Sequence, residues 1–90
     1  MSAEEEKWRK ATVQQVCNGP HGLYMVTTLN EPLAGVEGSV TAGLEPPVWN
    51  EGIVPTKGTF VLLATLTSKA AGWRALHARF FQPEDTVNPP

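Results

Sequence analysis

The apolar positions of this chain fall in short runs separated by turn residues, and few of those runs hold a helical period. "ATVQQV", residues 11–16, is short and partly β-branched, and Asn18-Gly19-Pro20 behind it is a turn signal. "HGLYMVTTL", 21–29, forms a second strand, with Leu23, Tyr24, Met25 and Val26 running apolar into Thr27 and Thr28. "NEPLAGVEG", 30–38, carries Pro32, Gly35 and Gly38 and is a loop. "SVTAGL", 39–44, predicts a third, shorter strand. "EPPVWNEGIVPTKG", 45–58, holds three prolines and two glycines and should cross the surface as a long loop. "TFVLLATLT", 59–67, is the strongest strand pattern in the chain. "SKAAG", 68–72, turns into a last strand, "WRALHARFF", 73–81. A helix over "SKAAGWRALHARFF" is the alternative, with Leu76 and Phe80 at i, i+4, but Gly72 interrupts it and an all-β neighbour needs a partner strand. Five strands joined by turns predict an all-β domain rolled into a small closed or partly open barrel. An SH3-like barrel is the competing architecture.

The ends differ from the middle. Glu4, Glu5 and Glu6 precede Lys7, Arg9 and Lys10, with Trp8 between the bases. Ser2 followed by Glu5 fits a capping box for one helical turn, and a solvated arm is the plainer expectation. The tail "QPEDTVNPP" is polar. The chain thus divides into a flexible charged arm over 1–10, a barrel over 11–82 and a disordered tail over 83–90. Ninety residues make one small domain, and 41% hydrophobic content is enough for a core. The single cysteine, Cys17, has no internal disulfide partner, which fits a reducing compartment. No apolar run nears the ~20 residues of a membrane span, and the first ten residues are too charged for a signal peptide. A cytoplasmic protein without membrane contact is the expectation.

The order of these elements resembles the cold-shock domain, a five-stranded OB-fold barrel that binds single-stranded nucleic acid. "TVQQV" stands where that family's first strand runs, and "HGLYMV" resembles its first nucleic-acid-binding motif, with Gly22 at the first glycine. "GSVTAGL" resembles the second motif. "KGTFVLLA" resembles the fourth strand through Gly58, Val61 and Leu63, and "KAAGWRALHA" resembles the closing segment through Gly72 and Ala75. The resemblance runs in order from residue 11 to 80 and implies an OB-like barrel. The family stacks bases on aromatics of its first three strands. The positions that match here are Gln15, Leu23, Met25, Thr41, Gly43 and Leu44, none of them aromatic. His21 stands in place of the motif's lysine, and strand alternation aims Tyr24 to the side opposite Leu23 and Met25.

Charge narrows the functional classes. The net formal charge is −2, against the basic balance usual in nucleic-acid-binding domains. The bases are nevertheless clustered with indoles: Trp8, Arg9 and Lys10 enter the first strand, while Lys69, Trp73, Arg74 and Arg79 surround the last hairpin. Cations neutralise phosphates and indoles stack on bases, so these seven residues are the candidate contacts for single-stranded DNA or RNA. The competing role for the tryptophans is to fill the barrel rim.

Strand four offers a second surface. With Val61, Leu63 and Thr65 facing the core, Phe60, Leu62, Ala64 and Leu66 face outwards, and an apolar outer face needs cover. Candidate covers are the loop carrying Val48 and Trp49, the N-terminal arm, or another protein. Phe60, Leu62 and Leu66 are therefore the candidate interface of a protein-interaction or self-associating module. Catalysis finds little support. Cys17, His21 and His77 make a poor zinc set, and no third group is placed to orient a Cys-His nucleophile. A non-enzymatic binding module without cofactor or metal is expected.

Overall fold

The computed structural model describes residues 8–36, 38–69 and 72–82. The expected tail, 83–90, and residues 1–7 of the expected arm, 1–10, lie outside these residues. Five strands form: β1 (Arg9–Gly19), β2 (Gly22–Leu29), β3 (Val40–Gly43), β4 (Phe60–Lys69) and β5 (Gly72–Phe80). All five predicted strands are present, and the helical alternative for the last segment gives way to β5. Arg9 and Lys10 belong to the barrel, because β1 starts two residues earlier than the sequence pattern indicates.

The strands close in the order β1-β2-β3-β5-β4, and β1 pairs with β4 to complete the ring. β3 and β5 are parallel, and every other pair is antiparallel. This all-β, five-stranded closed barrel is compatible with an OB-like fold.

Its interior is narrow, and the side chains inside are correspondingly small. Ala11, Ala42, Ala75 and Ala78 alternate with Val13, Met25, Val40, Val61 and Leu63, all buried. Thr27 is the one buried polar residue among those described, and its hydroxyl donates to the Val40 carbonyl at 2.8 Å. That bond removes the penalty of an unpaired hydroxyl in an apolar layer.

Closing so few strands requires them to bend. In β1 the register slips between Val13 and Gln15, leaving Gln14 and Gln15 both exposed while Val13 is buried and Val16 packs on the core. A bulge of this kind sharpens local twist. β4 and β5 bend together: Leu63 pairs with Ala78 and Leu66 with Ala75, and all four pack in or on the core although each pair lies three residues from the other. Thr65 sits inside the bend at φ 58°, and its hydroxyl lies 3.4 Å from His77 Nδ1. Thr65 is consequently exposed rather than inward, and Leu66 is turned onto the core rather than outward.

The long loop between β3 and β4 seals the barrel. Ala78 N donates to the Val48 carbonyl, so residues 48–49 take over the edge of β5 beyond the two-residue pairing with β3. Trp49 is 3% exposed, meets Phe80 edge-on at 4.8 Å between ring centroids, and donates its indole N–H to the Ile53 carbonyl.

Candidate nucleic-acid interface

A cleft of about 410 Å³ lies on the outer side of β2 and β3, between the β1–β2 turn and the β4–β5 hairpin. Tyr24 and Gly43, paired across β2 and β3, form its middle. Pro20 and His21 come from the turn, Lys69 and Arg74 from the hairpin, and the half-exposed Leu23 and Leu76 from β2 and β5. Among the described residues that line the cleft, Lys69 and Arg74 are cations and none is a carboxylate.

The sequence places these groups by small local rules. Gly22 holds φ +109°, a conformation open to glycine, and this turns the chain from β1 into β2. The same position lets the Glu45 carboxylate pack directly on the backbone of Gly22, which itself lines the cleft, so a carboxylate stands at the cleft edge. Thr41 pairs with Arg74 across the parallel β3–β5 contact, so both project to the outer side. Lys69 Nζ donates to the Thr41 hydroxyl at 3.0 Å, which holds the ammonium over the sheet.

Tyr24 is oriented from two sides. Its ring lies across Gly19, where an added methyl would stand 2.9 Å from Cε1. Its direct partner on β1 is Cys17, whose side chain shares the same face of the sheet. Hydrogen bonding of the phenol towards Cys17, then the negative charge the thiol can carry and partial desolvation, raise the phenol above its ordinary pKa of 10.0.

The seven candidate contacts divide between two places. Lys69 and Arg74 line the cleft. Trp73 pairs with Val40 and packs half-buried against the core, the rim-filling role. Arg79 lies five residues beyond Arg74, about 16 Å along the strand. There its guanidinium stands 4.8 Å from the centre of the Trp8 ring. Lys10 joins this second cluster, with Nζ 4.3 Å from the ring centres of both Phe60 and Phe81. Arg9 pairs with Leu63 and is half-buried on the neighbouring strand position.

On the outer side of β4, Phe60 is 44% exposed, whereas Leu62 and Ala64 are buried. Leu62 lies between Lys10 and Arg79, its cross-strand neighbours on the same face. The aliphatic stems of such residues cover apolar surface while their charges stay in water. Leu62 is thus covered within the chain.

The base-stacking positions matched through the cold-shock resemblance are divided as well. Met25 is fully buried and Leu44 nearly so, while Thr41 and Gly43 face the cleft. Tyr24, aimed away from Met25 as strand alternation requires, brings an aromatic ring to the cleft. Comparison with known proteins finds no matching family model, no matching curated protein and no matching solved structure.

Proposed function

We propose that this barrel is a non-enzymatic module that binds single-stranded nucleic acid in the β2–β3 cleft. The observation that carries the reading is the company Tyr24 keeps. An oriented aromatic ring shares a cleft with two cations, Lys69 and Arg74, in a chain whose net charge is −2. A ring that stacks on a base and cations that neutralise the adjoining phosphates are the two components of single-strand recognition. The cleft also lies on the strands and loops through which OB barrels bind oligonucleotides. Duplex DNA fits this reading poorly, because stacking on Tyr24 needs a base released from its pair.

The alternative is a self-associating or protein-binding module using the outer face of β4. Of the three residues named for it, Leu62 is buried within the chain and Leu66 packs on the core, which leaves Phe60 as its exposed contact. Titrating a labelled single-stranded oligonucleotide with the protein at low and physiological salt tests the first reading. Saturable binding that weakens as salt rises supports it, and no binding at low salt refutes it.

A further inference from the structure

Gly43 is a glycine that the backbone does not call for. It is the last residue of β3, pairs with Tyr24 and does not adopt positive φ, unlike Gly22 and Gly72. A Cβ built at Gly43 would meet nothing within 4 Å. Neither conformation nor crowding accounts for a glycine there, and glycine weakens a strand relative to β-branched residues. An aromatic paired with a strand glycine commonly leans over it and covers it. Tyr24 does the reverse: its ring leans over Gly19 and leaves Gly43 bare. The bare position lines the cleft together with Tyr24, its cross-strand partner, and Arg74.

We infer that Gly43 is the seat of a nucleobase: a planar ring rests on the bare β3 backbone beside Tyr24, with its phosphate towards Arg74 and Lys69. The inference rests on the nucleic-acid reading above and adds to it the residue that admits the base. A methyl at 43 would enter the volume of the ring without meeting any other part of the protein within 4 Å. Affinity and stability therefore move in opposite directions, which distinguishes a ligand seat from a structural glycine.

The test compares wild type, Gly43→Ala and Gly43→Val on two labelled strands, a short oligothymidylate and an abasic deoxyribose-phosphate strand of equal length, with thermal melting of each protein. The expected result is about a tenfold loss of oligothymidylate affinity in Gly43→Val and a smaller loss in Gly43→Ala. Affinity for the abasic strand should stay the same in all three proteins, and both variants should melt at or above the wild-type temperature. Unchanged oligothymidylate affinity in Gly43→Val would overturn the base seat and leave the nucleic-acid reading standing. An equal loss on both strands would overturn it too, because the side chain would then be obstructing the backbone path. A lower melting temperature in Gly43→Ala would show that the fold needs the glycine, and would also overturn it. A wild type that binds neither strand overturns this inference and the reading beneath it together.

Discussion

The Tyr24 ring lies across Gly19, so near that a single methyl at Gly19 would press on Cε1 from 2.9 Å. The ring is held in place before any ligand arrives, and a fixed ring loses little freedom on binding. Tyr24→Ala should therefore weaken oligonucleotide binding by about 1–3 kcal/mol, while Tyr24→Phe keeps most of it. Gly19→Ala, which tilts the ring without removing it, should fall between the two. Fluorescence anisotropy titrations of the three variants give the order, with circular dichroism to confirm that each is folded.

The division of the bases into two clusters predicts which of them act on phosphate. Lys69→Ala and Arg74→Ala should each flatten the dependence of log affinity on log salt by about 0.7, the value for one phosphate contact on a single strand. Lys10→Ala serves as the contrast. Its ammonium is placed over Phe60 and Phe81, away from the cleft, so the slope should not change. A slope that responds to Lys10 and not to Arg74 would move the binding surface to the other cluster.

The cross-strand pairing of Cys17 with Tyr24 has a pH consequence. Tyr24 has a raised pKa in the folded barrel, so its contribution to stability is complete below the unfolded value of about 10. That contribution is lost as pH climbs through the folded value, and the dependence lies wholly on the alkaline side. Cys17→Ala should leave the protein folded and bring the Tyr24 titration down towards the ordinary phenol value. Phenolate absorbance during an alkaline titration of wild type and variant reads this directly. An unchanged Tyr24 titration in Cys17→Ala would rule out the hydrogen bond as the main cause of the shift.

Leu62 decides how the outer face of β4 behaves. It is 6% exposed between Lys10 and Arg79, so its cover comes from within the chain. Leu62→Ala should destabilise the monomer by about 2–3 kcal/mol in urea unfolding, near the lower end for a buried leucine. Sedimentation velocity should give the same monomeric species for wild type and variant. A wild-type dimer that Leu62→Ala converts to a folded monomer would instead establish this face as an interface.

Much of the architecture was legible in the sequence, because each strand is bounded by residues with a specific reason to turn the chain. Asn18-Gly19-Pro20 and Gly22 mark the first hairpin, and Gly72 marks the last. The sidedness was harder to read. Strict alternation along β4 places Thr65 inside and Leu66 outside, but the coupled bend of β4 and β5 reverses the two. The bend arises from barrel closure, a property of five strands together that no single strand pattern contains. The adjacent glutamines Gln14 and Gln15 were the one local sign of such a reversal, since two polar residues in succession break the period of a strand. The cleft was only partly legible. Lys69 and Arg74 stood out as bases, but Tyr24, Gly43 and Gly19 meet through cross-strand register, which composition does not carry.

The Trp49 seal also governs how the barrel opens. Along most of its length β5 is held by neighbouring strands, but the Ala78 amide is held by Val48, a loop residue. Exchange of that amide with deuterated solvent therefore times the detachment of the loop, separately from unfolding of the strands around it. Trp49 rests against the ring of Phe80, so with Trp8 and Trp73 replaced by Phe its emission reports the release of the indole optically. Two signals from adjacent residues, one isotopic and one fluorescent, make this end of the barrel a local clock for partial unfolding. Agreement between them would show that the loop detaches as one unit, and a faster amide would show that residue 48 lets go before the indole does.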